Sequence, residues 1–284
     1  MVGRKISVQA AVKAAFDFAK LNAPKTAGVL SIILLFDIAK VIAPVHDAAT
    51  VDIARLALSA VEALFGVIAQ GALYRLAFAG EHGGDPEFRV GPLGLQWGRA
   101  ETRLLGAKLL LYLLFFIAML FLAMILIVVL GAGMFVNGTG ASSLHSASMA
   151  SPPLDPQQMS KVILYFAPLF LVVLYVYLRI CLFGAATVAE RKVMVFSTWS
   201  LTRGNVLPIL GALFLIAVPL GVLDLLAGLP GEPRTATIVI GLVTCVIDAF
   251  LIRPMSCGLY AYLYAALRTS TAVEAGGAAK GPWG

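Results

Sequence analysis

Eight charged side chains sit inside, or at the ends of, stretches otherwise apolar enough to cross a membrane: Asp37, Lys40, Glu62, Arg75, Arg179, Glu190, Asp248 and Arg253. A charge at that depth is costly, so each needs a partner, a route to the headgroups or a ligand, and each is a functional candidate by default. Two chemistries fit these residue types: binding of an anionic solute or lipid headgroup by the arginines, or structural ion pairing. Asp37 and Lys40 lie three apart on one helix face, suited to pairing with each other or with neighbouring helices. Arg179 falls about seven or eight residues before the cytoplasmic end of its stretch, roughly 11–12 Å at the helical rise. Snorkelling covers only part of that distance, so a partner such as Asp248, Asp37 or Glu190 is expected. Asp248 and Arg253 are five apart and share a helix face poorly. Pro254 removes a backbone donor and should kink the helix there.

The elements that hold these residues follow from composition. The chain has 284 residues, 60% hydrophobic and 13% charged, with a mean hydropathy of +0.94. Soluble domains carry about 25% charged residues, so the reading is an all-α polytopic integral membrane helix bundle. Residues 1–25 form a cytoplasmic amphipathic helix, with Lys5, Gln9, Lys13, Asp17 and Lys20 on one side and Val8, Val12, Ala15, Phe16 and Ala19 on the other. Such a helix suits either the membrane interface or the cytoplasmic end of the bundle. A six-span membrane domain over 26–267 follows, with spans at about 26–44, 53–79, 108–136, 161–187, 206–227 and 236–264. The tail 268–284 reads as disordered. No signal-peptide pattern is present, so the first span is expected to serve as the targeting signal.

Basic residues set the orientation. Fourteen fall in the N-terminal segment, the 80–108 and 188–205 connectors and the tail, against three (Arg55, Lys161 and Arg234) on the other side. Loop 137–160 has no Lys or Arg before its end. Both termini are therefore expected in the cytoplasm, with three hairpins between them. The net charge of +6 is explained by anionic headgroups rather than by nucleic acid.

The hairpins share a feature. Arg75, Arg179 and Arg253 each sit toward the cytoplasmic end of an even-numbered span. Trp97 follows Arg75 by 22 residues and Trp199 follows Arg179 by 20, each in a connector expected to hold a short interfacial helix. Duplication produces such a pattern, and so does chance similarity among membrane connectors. Trp beside Ser, Thr and Arg fits the headgroup layer. Arg203, Gly204 and Asn205 read as an elbow into the fifth span, Gly204 permitting a left-handed backbone and Asn205 capping the next helix.

Enzyme signatures are lacking. His46, His82 and His145 stand alone in sequence, and no HExxH, GxSxG, CxxC or phosphate-binding loop occurs. Gly80 to Asp85 is better explained as a polar turn than as a metal site. No cofactor, metal ligand set or catalytic residue is assigned. Cys181, Cys245 and Cys257 read as small buried hydrophobes. Tyr260, Tyr262 and Tyr264 read as interface anchors. Gly66 through Gly71 and Gly131 to Gly133 read as helix-packing positions.

The stretch RICLFGAATVAERKVMVFSTWSLTRGN, from Arg179 to Asn205, resembles bacterial polytopic membrane proteins related to the membrane domain of glycerophosphodiester phosphodiesterases. The matching positions are Arg179, Glu190, Ser197, Trp199, Leu201, Thr202, Arg203, Gly204 and Asn205. The resemblance covers about 27 residues closely and the rest by span pattern alone. It implies a multi-pass protein of a bacterial inner membrane, without the catalytic domain or its activity. The expected function is that of a non-enzymatic scaffold, assembly factor or accessory subunit of a membrane complex. The alternative is a small transporter or lipid-handling protein that draws an anionic solute or headgroup to its arginines. Expected partners are membrane lipids, above all anionic cytoplasmic headgroups, with a membrane protein partner or self-association.

Overall fold

A computed structural model describes residues 6–42, 53–82, 84–136, 156–227 and 234–274. The chain is all-α over these residues, in ten helices: α1 Val8–Asn22, α2 Ala27–Ile42, α3 Ile53–Phe78, α4 Arg99–Val136, α5 Pro156–Ile180, α6 Phe183–Ala189, α7 Thr198–Leu201, α8 Val206–Ala227, α9 Arg234–Ile247 and α10 Arg253–Glu274. A single π turn, Asp248–Ile252, joins α9 to α10. Among the described residues five stretches are long and apolar enough to cross a membrane: Leu56–Phe78, Pro92–Met124, Phe170–Ala189, Val206–Leu223 and Thr235–Thr269. Helix α2, in the place of the first expected span, has 16 residues, and positions 43–44 lie outside the described residues. This is the architecture of a multi-pass membrane protein.

The chain divides into two compact units, Met1–Ala107 with Tyr177–Gly284, and Lys108–Val176. In the first unit α1 packs chiefly on α10 and also on α8, while α2 lies against α3 and α9. Its main core gathers Phe18, Leu73, Tyr74, Phe78, Phe88, Leu104, Val188 and Tyr264. Helix α6 contributes a run of small buried side chains, Gly184 through Ala189, which lets it approach α3 and α10 closely. Apolar side chains such as Leu207, Phe214 and Leu225 face outward, as they do on a helix solvated by lipid. In the second unit, α4 and α5 contribute Phe115, Met119, Leu122, Val172 and Val176 to an apolar cleft of about 330 Å³.

Several expectations change. Helix α1 buries Ala11, Ala15, Phe18 and Ala19 and leaves Phe16 exposed, so its inward face is rotated from the one drawn from hydropathy. Gly258 explains this: a Cβ there would stand 2.6 Å from Phe18 Cδ1, so its absence admits the Phe18 ring. No separate connector helix surrounds Trp97. Arg99, Glu101 and Arg103 form the opening turns of α4, and Trp97 precedes them, because no breaker separates Arg99 from the apolar run. Helix α5 begins at Pro156, inside the stretch expected to be loop, and a turn at Cys181-Leu182 divides the fourth expected span into α5 and α6. Residues 268–274, expected in a disordered tail, continue α10. Of the glycine positions expected to pack helices, Gly71 faces the Glu101 carboxyl, whereas a Cβ at Gly66 would meet nothing within 4 Å. The side chains of residues 131–133 lie outside the described residues, as do residues 1–5, 43–52, 137–155, 228–233 and 275–284, including His46 and His145.

Candidate functional site

Five of the charged residues converge from α2, α3, the π turn and α10. Arg253, at the start of α10, donates from Nε to Asp248 Oδ2 at 2.6 Å. From Nη2 it reaches Asp37 Oδ2 on α2 at 3.1 Å and Glu62 Oε1 on α3 at 3.3 Å. Lys40 pairs with Glu62 and lies 3.7 Å from Asp37. Among the described residues three carboxylates meet two cations, so these five carry one net negative charge when all are ionised. Asp248 lies about 20 Å along the helix from Thr235, and Arg253 about 24 Å from Thr269, deep within that apolar stretch. Asp37 and Glu62 are mostly covered, while Asp248, Arg253 and Lys40 are 26%, 30% and 32% exposed.

The π turn makes this network. Asp248 and Arg253 are five apart, a spacing that splays side chains on an α-helix and aligns them where bonding runs from i to i+5. Pro254 lacks an N–H, and its ring would clash with the carbonyl of residue 250 in a regular helix. Widening one turn at Asp248–Ile252 accommodates the ring and brings Asp248 round to Arg253. The expectation that these two share a face poorly is thus corrected, and the proline's kink takes the form of a π turn.

The other two arginines hold connectors. Arg75 is buried against a buried Glu101, whose Oε2 also accepts the Gly98 N–H at 2.9 Å. Arg75 Nη1 donates to the Arg89 carbonyl at 3.4 Å. Gly71 and Gly98 make the space: a Cβ at 71 would collide with the Glu101 carboxyl, and one at 98 would lie 2.9 Å from Arg75 Nη2. Arg75 Nε and Glu101 Oε1 are buried without a hydrogen-bond partner among the described residues, so this pair bears an incompletely repaid desolvation cost.

Arg179 does the corresponding work for the second connector. Its Nη1 donates to Thr202 Oγ1 at 3.5 Å, and Thr202 Oγ1 donates to the Arg179 carbonyl at 3.2 Å. Its guanidinium lies 5.0 Å from the centre of the Trp199 ring. The acids considered as its partners are engaged elsewhere. Asp37 and Asp248 belong to the Arg253 network, and Glu190 accepts from Tyr264 at 2.8 Å and pairs with Arg268 at 3.2 Å. Arg75 and Arg179 thus play parallel parts, and Arg253 a different one.

The elbow positions also resolve. Gly204 has a φ of +82°, a conformation that favours glycine. The Asn205 side chain does not cap α8; its Oδ1 accepts the Ile6 N–H at 3.3 Å, tying the N-terminal segment to the second connector. Arg203 is exposed. The two connectors are joined by Arg191, which pairs with Asp85, approaches Glu87 at 3.9 Å and lies over Phe88. The Glu87 N–H and Arg191 hold the Asp85 carboxyl below its ordinary range. Of the three tyrosines expected as interface anchors, Tyr264 belongs to the core and Tyr260 meets Tyr177 through their hydroxyls at 3.1 Å. His82 stacks on Phe88. Among the described residues no group of His, Cys, Asp and Glu is placed to hold a metal ion.

Glu101, Thr198, Thr202, Gly71 and Gly98 were not assigned site roles from sequence. Glu101, four residues after Trp97, was the readable signal: an acid set where Arg75 could meet it. No protein-family model, curated protein or solved structure matches the chain.

Proposed function

We propose that this chain is a non-enzymatic integral membrane protein, a scaffold, assembly factor or accessory subunit of a membrane complex. In this reading it spans a bacterial inner membrane six times in three hairpins, with both termini cytoplasmic and the first span at about 26–44. Five long apolar stretches and the bias of basic residues toward the connectors support that topology. The observation that carries the functional reading is the five-charge network, unbalanced among the described residues, with its partly uncovered edge among apolar helices. A net charge at membrane depth calls for neutralisation, and a partner helix with a compensating cation provides it. The resemblance of Arg179–Asn205 to phosphodiesterase-associated membrane domains agrees with an accessory role.

The alternative, handling of an anionic solute or headgroup, draws less support from the same contacts. Arg253 faces three carboxylates, Arg75 faces Glu101, and Arg179 is committed to the second connector. Native mass spectrometry after purification in lipid-preserving conditions tests the choice. A stoichiometric protein partner that is lost in Asp248→Asn is expected. A retained anionic lipid or solute that is lost in Arg253→Gln, with no protein partner, would overturn the reading in favour of the alternative.

A further inference from the structure

The second connector is turned inside out relative to a segment facing water. Val195, Thr198 and Thr202, at spacings of three and four, are buried. The two threonine hydroxyls are consumed locally: Thr198 Oγ1 donates to the Val195 carbonyl at 3.0 Å and Thr202 Oγ1 to that of Arg179. Phe196, Trp199 and Arg203, at the same spacings one residue on, form the outer face with Lys192, Val193, Ser197 and Ser200. Phe196 is 58% exposed. A segment in water would place its aromatics inward and its threonines outward. Here the outer surroundings must accept two aromatic rings and two cations together.

The chain fixes the height of this face. Phe170–Ala189 and Val206–Leu223, on either side of the connector, are both long and apolar enough to span, so the segment lies where the chain leaves and re-enters the bilayer. Of its charges, Glu190 is engaged by Tyr264 and Arg268 and Arg191 by Asp85. Lys192 and Arg203 are exposed and make no ion pair among the described residues. Rings at the boundary of the acyl region with cations beside them match an anionic headgroup layer.

We propose that residues 192–203 form a fixed membrane-surface wedge that seats Phe196 and Trp199 at the headgroup–acyl boundary and Lys192 and Arg203 on anionic headgroups. Arg179 is its positioning residue, holding Thr202 by a hydrogen bond and Trp199 by its guanidinium from beneath. The wedge is independent of which protein the chain assists.

The test uses the full chain with Trp97→Phe and Trp283→Phe, leaving Trp199 as the sole tryptophan, in nanodiscs of phosphatidylcholine with or without phosphatidylglycerol. Bromine near the headgroup end of the acyl chain should quench Trp199 more strongly than bromine near the methyl end. Quenching should be stronger when the brominated lipid is phosphatidylglycerol. Lys192→Gln and Arg203→Gln should each lower that enrichment roughly fivefold. Arg179→Gln should shift or broaden the depth profile, and Thr202→Val serves the same purpose if the arginine variant does not fold. Quenching of Trp199 by aqueous iodide with no response to brominated lipid would place the face in the cytosol and overturn the proposal. Insensitivity to both quenchers would show it covered by protein, which overturns it equally. Neither result bears on the accessory reading, which rests on the Asp248 network.

Discussion

Arg75 and Glu101 are ionic groups with almost no access to solvent, which makes their pairing far more consequential than the surface bridges nearby. Glu101→Ala leaves a buried guanidinium facing only the Arg89 carbonyl. The expected loss of stability is about 3–5 kcal/mol, read by thermal or denaturant unfolding in a fixed detergent. Arg103→Ala removes the half-exposed bridge to Glu87 at 2.8 Å and should cost about 0–1 kcal/mol in the same assay. Asp85 provides a pH signature. Its folded-state pKa is depressed, chiefly by the Glu87 N–H and then by Arg191. Its contribution is therefore present above the ordinary aspartate pKa, about 3.9, and is lost as pH falls through the lower folded value. Asp85→Asn should lower stability at neutral pH, flatten that acid limb of the stability profile and converge with the wild type at the acid extreme. At this scale sequence was informative about which charges are expensive and poor at who meets whom. Arg179 could not be matched to its Thr202 contact, because a threonine in a connector carries no charge signal.

At the scale of elements, α8 covers the same residues as the apolar run 206–227, whereas α4, α5 and α10 run beyond the apolar runs that mark them. What remained hidden depended on close approach. Helix α1 presents alanines and Phe18 to α10 because Gly258 leaves room, and hydropathy does not distinguish Phe16 from Phe18 when a lipid-adjacent surface tolerates either. Gly258→Ala should displace Phe18, at a cost of about 1–3 kcal/mol for overpacking, and should expose the α1–α10 contact to proteolysis. Gly66→Ala, with open space around its Cβ, should instead be neutral or stabilising by up to about 1 kcal/mol. The π turn was beyond sequence pattern for a related reason. A proline announces a disturbance, and the packing around it decides between a kink, a break and a widened turn.

For the whole molecule, the five-charge network joins α2, α3 and the α9–α10 passage, while the two arginine-held connectors organise one end of the first unit. Composition made the membrane class legible, and the density of charge inside apolar stretches marked the network's members. Their convergence was not legible, because it depends on three elements far apart in sequence and on a local change of helical period. Among the described residues the network is charge-unbalanced, and the proposed partner would complete it. The most direct test compares Asp248→Asn with Arg253→Gln for both unfolding stability and retention of the co-purifying partner. Asp248→Asn leaves two carboxylates for two cations, so it should hold stability within about 1 kcal/mol and lose the partner. Arg253→Gln strands three acids with one lysine and should cost about 3–5 kcal/mol. Equal destabilisation by the two variants, with the partner retained by Asp248→Asn, would mean that the network is complete without a partner.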